Sequence, residues 1–271
     1  MLGVLLRAVR TRLRHESPGA GPNAQLGAIS FLHRFGSSLN PHFHFHVVVL
    51  DGVSTEIDDG VRFDEATHFA DDDARALTPI LQRRILRLFF RRGLLEEHTV
   101  DDMLTWQGTG GFSVDASVRI HGSDRAGRER LLRYCARPPF ALDRLRIEGQ
   151  PGTGSGDTGV RRVLYQPARP TPDGRTLLAR SPIEFLDALS RLIPPPRVHR
   201  HRYHGGLAPN ARLRPDAVAL GRVAEAPTDQ APGQGTGALA PEAFPTALTG
   251  AAARSRWAQL LARIYEAFPL R

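Results

Sequence analysis

The tightest constraint in this chain is the run Asn40-Pro41-His42-Phe43-His44-Phe45-His46-Val47-Val48-Val49-Leu50-Asp51-Gly52. Its alternation has a period of two, and in an extended strand successive side chains point to opposite faces. His42, His44 and His46 therefore project from one face while Phe43, Phe45, Val47 and Val49 project from the other. Such a strand needs a sheet with one side against a core. Along one face the imidazoles repeat about every 7 Å, so adjacent members of the row can reach one divalent cation above the sheet. Histidines on a half-exposed strand face are also commonly only solvated or hydrogen bonded. Three in phase, followed by Val-Val-Val-Leu, weigh toward a ligand row. Asp51-Gly52 reads as the closing turn and brings a carboxylate, Asp51, to the strand's end.

Charge narrows the partner. The formal net charge is +8, and all 36 basic residues are arginine. A planar guanidinium makes bidentate bonds to phosphate oxygens, which points to nucleic acid. No segment approaches 18 consecutive apolar residues, so a membrane partner is not expected. A metal hydrolase acting on a small-molecule substrate would need a third firm ligand and an enclosed pocket, and it leaves the arginine surplus unexplained. With Cys135 as the single cysteine, a disulfide framework or a cysteine zinc site within one chain is excluded. A reducing, cytoplasmic setting is expected. The N-terminal MLGVLLRAVRTRLR carries arginines inside its apolar run and reads as a short amphipathic helix rather than a signal peptide.

The fold class expected is α+β, a central antiparallel sheet with helices packed on it. Ala28 to Phe35 reads as a strand with Ile29, Phe31 and Phe35 on one face, turning at Gly36 to Asn40 into the histidine strand. Val53 to Phe63 reads as a further extended piece. Asp71 to Phe90 reads as a helix, with acids at its start and Leu77, Leu81, Ile85 and Leu88 at helical spacing. Its other face carries Arg83, Arg84, Arg87 and Arg91, either a solvated face or a DNA contact. Trp106 to Gly111 is a glycine loop without the lysine of a phosphate-binding motif. Phe112 to His121 alternates and reads as a strand. Ser123 to Ala136 reads as a helix stopped by Arg137-Pro138-Pro139. Val160 to Gln166 and Thr176 to Ala179 suggest a hairpin around Asp173-Gly174. Ser181-Pro182-Ile183-Glu184 is a capping box opening a helix that runs to about Ile193. Four segments follow: a core over 1–148; the second hairpin, helix and a basic stretch over 149–223; a flexible Pro/Gly/Ala/Thr-rich linker over 224–249; and an amphipathic C-terminal helix over 250–271.

Two further features bear on chemistry. Tyr134 sits on a predicted helix between Arg133 and Arg137. A tyrosine in a helix is more often a packing residue, but phenolate attack on a phosphodiester needs neighbouring positive charge or a metal, and both are within the pattern here. The segment 197–214 is dense in cations and aromatics: Arg197, Arg200, Arg202, Tyr203, His204, Arg212 and Arg214. It reads as a path for single-stranded nucleic acid, with arginines along the backbone and a ring to stack a base, or else as a disordered basic connector.

Three blocks, Phe35 to Val53, Leu131 to Ala141 and Arg202 to Arg214, resemble in that order the IS91/ISCR-type transposases of the HUH endonuclease superfamily. The resemblance implies a five-stranded antiparallel sheet with the histidine strand in its centre, and a divalent metal, Mg²⁺ or Mn²⁺, held by His44 and His46 with His42 as third ligand or outer partner and Asp51 in support. It implies Tyr134 as the residue that attacks a scissile phosphate in single-stranded DNA at transposon ends, leaving a 5′-phosphotyrosine and a free 3′-hydroxyl in rolling-circle transposition. Tyr203 is the reserve nucleophile. Two-tyrosine members carry Tyr-x-x-x-Tyr here, whereas the fourth residue after Tyr134 is Pro138, so the chain resembles the single-tyrosine branch. Longer relatives continue into cysteine-rich segments, so this chain reads as a shortened copy, with a catalytically inactive DNA-binding remnant as the alternative to an active enzyme. A bacterial cytoplasmic protein, on the nucleoid when bound to DNA, is expected.

Overall fold

A computed structural model of the chain describes residues 1–67, 71–106, 110–149 and 162–223. The linker over 224–249 and the helix over 250–271 lie outside the described residues, as do residues 107–109 of the glycine loop and the stretch 150–161. Two antiparallel sheets and six α-helices make an α+β fold among the described residues. In order these are α1 (Leu2–Glu16), β1 (Gln25–Phe35), β2 (Pro41–Ile57), β3 (Gly60–Glu65), α2 (Asp71–Arg91), α3 (Glu97–Thr105), α4 (Arg125–Ala136), β4 (Leu145–Glu148), β5 (Arg162–Tyr165), β6 (Leu178–Arg180), α5 (Pro182–Ser190), β7 (His201–Gly205) and α6 (Arg214–Val223). One sheet has the order β3-β2-β1-β7 and the other β4-β5-β6. Among the described residues the sheet holding the histidines thus has four strands rather than five, with β2 internal.

The missing strand is the alternating stretch from Phe112 to His121, which forms no ladder. Its pattern does reach burial at one end: Phe112 is buried, whereas Val118 is exposed. Alternation prepares a segment for a sheet edge but does not supply the partner backbone. The Asp51-Gly52 turn also fails, because β2 runs through both residues to Ile57. Gly52 stands opposite Glu65 of β3, and a Cβ there would come within 2.4 Å of the Asp64 carbonyl oxygen. The glycine therefore permits a close backbone approach inside a strand pair. The hairpin turn lies further on, where Gly60 has φ +122°. The basic stretch 197–214 contains a strand and a helix start rather than a disordered connector, since β7 lies beside β1 in the sheet and Leu32 N–H donates to the Arg200 carbonyl just before it.

The chain divides into two compact units. The first comprises residues 1–28, 49–124 and the described chain from 203 onward. Its core is helical: Val4 and Ala8 of α1, Leu77, Leu81, Ile85, Leu86 and Phe89 of α2, and Met103 of α3, with Leu95 and Phe112. The i, i+4 repeat of Leu77, Leu81 and Ile85 gives α2 the apolar stripe that α1 and α3 cover.

The second unit comprises residues 29–48 and 125–202. In it β4-β5-β6 form an antiparallel meander, with Val163 opposite Arg180 and Ile147 opposite Val163. α5 packs on it, joining Leu189 and Phe185 to Tyr165, Leu192, Phe35 and Leu39. The capping box forms as its sequence requires: the Ser181 hydroxyl accepts from Glu184 N–H and the Glu184 carboxylate accepts from Ser181 N–H at 2.8 Å.

Leu86 is fully buried in the helical core, while Ile183 on α5 is 79% exposed. Leu86→Ala should cost about 2–5 kcal/mol by leaving a cavity, and Ile183→Ala should stay within about 0.5 kcal/mol. Urea unfolding of the two variants measures both, and a Leu86→Ala midpoint equal to wild type contradicts this packing.

Candidate active site

The site is built within the second unit, from β1, β2 and α4. On β2 the imidazoles form the expected row, with ring centroids 5.0 Å apart from His42 to His44 and again from His44 to His46. β1 adds a fourth ring. His33 is 1% exposed, its centroid 4.5 Å from His46 and 5.1 Å from His44. His33, His44 and His46 each offer a nitrogen, and these atoms lie within 4.8 Å of one another. Among the described residues this is the group of histidine and carboxylate side chains able to hold one metal ion. His42 stays outside the trio, exposed beside His44.

Hydrogen bonds assign the nitrogens. His33 Nε2–H donates to the Cys135 carbonyl at 2.7 Å, leaving Nδ1 as the lone-pair atom. His44 Nδ1–H donates to the His42 carbonyl at 3.3 Å, leaving Nε2. Among the described residues, His33 Nδ1 and His46 Nε2 are both buried with no hydrogen-bond partner. A buried acceptor without a partner costs about 1–3 kcal/mol. Two such atoms belong to members of one trio whose ring nitrogens lie close together, so the residues fit a divalent ion taken by neutral imidazole donors.

Electrostatics keep these rings neutral. Burial, then the neighbouring imidazoles His42, His46 and His33, hold His44 down to about 3. Burial, with His33 and Arg137, holds His46 to about 4. Burial is also the leading cause of the lowered value of His33. The Cys135 thiol is pushed up to about 11 by burial, so it remains a protonated, inert neighbour.

Local sequence explains why α4 meets this cluster. The carbonyls of Tyr134 and Cys135 would normally accept from the N–H groups four residues on, but those residues are Pro138 and Pro139, which have none. His33 supplies the donor for Cys135, and Arg137 N–H reaches Tyr134 at 3.4 Å. The helix end is thus tied to β1 one residue after Tyr134. The Tyr134 ring packs edge-on against His46, centroids 5.3 Å apart, and Arg137 lies over its face at 4.4 Å. With 38% of its surface exposed, Tyr134 is accessible to a ligand.

The other tyrosines are placed differently. Tyr165 is 2% exposed and its hydroxyl donates to the Ser37 carbonyl at 2.9 Å, so its phenol is committed to structure. Tyr203 is exposed on β7, in the first unit, under Arg214 at 5.0 Å. Tyr265 lies outside the described residues. Of the remaining expected contacts, Asp51 ion pairs with Arg119, and Arg212 with Glu56. Arg214 donates to the Leu207 carbonyl, Arg200 to the Arg137 carbonyl at 3.1 Å, and Arg133 sits 3.7 Å from Glu129. Arg197 and Arg202 are exposed, Arg197 in the left-handed backbone region at φ +67°, and His204 is half-buried. The residue that sequence reading missed is His33. It shares a strand face with Phe31 and Phe35, so its phase reads as core; a histidine on that face beside a His-x-His strand is the one signal available.

The depressed values give a signed pH dependence. An unfolded chain takes protons on His44 and His46 near pH 6.5, whereas the folded chain resists until about 3 and about 4. Stability contributed by the neutral rings is therefore complete above about pH 6.5 and is lost progressively as pH falls toward about 4. The Tm of chelator-treated protein should drop across that window, and a His44→Gln, His46→Gln double variant should flatten the drop. Identical profiles for the two proteins contradict the assignment.

No helix among the described residues is long and apolar enough to cross a membrane. No curated protein and no solved structure matches the chain. A family model described as "Putative transposase" matches residues 27–214. That span is well over half of the sequence and holds His33, His44, His46 and Tyr134 together. The chain belongs to this transposase family.

Proposed function

We propose that this transposase is an HUH-type nuclease of the IS91/ISCR kind, which nicks and rejoins single-stranded DNA at transposon ends through a covalent link to Tyr134. The observation that carries the reading is one juxtaposition: an accessible tyrosine packed against His46 of the trio His33, His44 and His46, beneath a guanidinium. Tyr134 Oη forms a bond to the scissile phosphorus and the bond from phosphorus to the 3′ oxygen breaks. The phenol's proton leaves to solvent and the departing 3′ oxygen takes one up, giving a 5′-phosphotyrosine and a free 3′-hydroxyl. One phosphodiester replaces another, so the link conserves the energy needed for rejoining and no further reactant is required.

Each side chain has a part. Edge-on packing against His46 and the overlying Arg137 restrict the Tyr134 ring to a narrow set of orientations, which lowers the entropy lost on attack. Arg137 also places positive charge where the phosphate accumulates negative charge. His33, His44 and His46 would hold a divalent cation, Mn²⁺ suiting three imidazoles better than Mg²⁺, and such an ion neutralises phosphate charge and polarises its P–O bond. His42, exposed beside the trio, and the exposed Arg197 and Arg202 are placed to meet DNA rather than metal. Rolling-circle movement and a site of action on the bacterial nucleoid follow from this reading.

Tyr134→Phe should abolish covalent adducts on single-stranded oligonucleotides while leaving affinity within about twofold, because only the nucleophilic oxygen is lost. Arg137→Ala should slow adduct formation about 10–100-fold, the size expected for one charged contact in a transition state. Denaturing gels with labelled oligonucleotides read both. Adducts persisting in Tyr134→Phe, or mapping to Tyr203, contradict the assignment; a wild-type protein that binds DNA yet gives no adduct with Mn²⁺ or Mg²⁺ is the inactive remnant instead.

A further inference from the structure

A second charged feature lies in the first unit, on α2. Arg83, Arg84, Arg87 and Arg91 are all exposed, and they share one side of the helix with Ile80 and Phe90, which are 39% and 45% exposed. At about 100° per residue these six positions fall within roughly a third of the helix circumference, opposite the stripe that faces the core. Ile80, Arg83, Arg84 and Arg87 line a shallow open groove.

Some arginines elsewhere find carboxylates: Arg12 meets Glu16 and Asp73, Arg62 meets Asp64, Arg119 meets Asp51 and Arg191 meets Asp187. Among the described residues no hydrogen-bond acceptor or carboxylate engages Arg83, Arg84, Arg87 or Arg91. Two plain explanations fall short. The helix dipole rewards cations only in the last turn, which accounts for Arg91 but not for Arg83, Arg84 or Arg87 in a helix ending at Arg91. Helix solvation does not ask for like charges at i, i+4, yet Arg83–Arg87 and Arg87–Arg91 both have that spacing, at a cost of about 0.2–0.5 kcal/mol each.

We infer that this face of α2 binds the phosphate backbone of DNA, as a contact separate from the tyrosine and histidine cluster. A polyanion turns the mutual repulsion of the arginines into attraction. Arg83, Arg87 and Arg91 rise about 6 Å apart along the axis, a row able to follow consecutive phosphates, with Arg84 beside it. Phe90 and Ile80 give the row an apolar margin against sugars or unpaired bases. The inference rests on membership of a transposase family and not on Tyr134 chemistry.

The test is Arg83→Gln, Arg87→Gln, Arg91→Gln in the full chain, titrated with a labelled 30-nucleotide strand and with its duplex across a salt series. Three lost phosphate contacts should lower the salt slope by about 2 on the single strand or about 3 on the duplex. Affinity at low salt should fall at least tenfold on the form that α2 engages. The matching triple lysine variant should keep wild-type slope and bind within about threefold. Melting temperature of the glutamine variant should equal or exceed wild type, since two like-charge pairs are removed. Tyr134 adducts at saturating oligonucleotide should form as in wild type, so this face and the nicking chemistry fail separately. Unchanged slope and affinity on both DNA forms in a folded glutamine variant would overturn the inference, as would loss of binding in the lysine variant.

Discussion

One hydrogen bond organises the site: His33 Nε2–H to the Cys135 carbonyl, 2.7 Å and buried. It exists because Pro138 and Pro139 withhold the N–H groups that would otherwise serve the last carbonyls of α4. A buried carbonyl without a donor is costly, so the helix end must find one, and the strand offers an imidazole. That bond fixes the His33 tautomer, leaves Nδ1 as its free lone pair, and anchors the backbone one residue beyond Tyr134. A local helix-ending signal thereby sets the position of a phenol.

The rest of the site depends on keeping the rings neutral. Protonating one imidazole in this cluster places a cation among three other rings with Arg137 near, while burial removes the water that would solvate it. The same burial leaves His33 Nδ1 and His46 Nε2 without partners. Such a cluster is a poor stabilising element by itself, and its donor set is of the kind that would suit a divalent ion.

Much of this was legible in the sequence, for identifiable reasons. Period-two alternation located β2, and cap chemistry located α5 and the end of α4, because these signals act within a few residues. The hairpin at Asp173-Gly174 follows the same rule, Gly174 taking φ +80°. The expectations that failed turned, in three places, on a partner distant in sequence. His33 looked like core because phase says which face a residue is on, not which ring lies across the strand gap. Phe112 to His121 carried a strand's pattern without a neighbouring backbone to pair with. Gly52 looked like a turn because its purpose, room for the Asp64 carbonyl, is set by another strand. The contacts divide the chain into two units whose boundaries fall inside β1, β2 and β7.

The account stands or falls on His33 completing the histidine set in place of His42. Calorimetric titration of Mn²⁺ into wild type, His33→Gln and His42→Gln measures this directly. Loss of one of three ligands should weaken Mn²⁺ binding by about 10–100-fold or more in His33→Gln and leave His42→Gln within about threefold of wild type. Wild-type affinity in His33→Gln, or collapse of binding in His42→Gln alone, contradicts the arrangement.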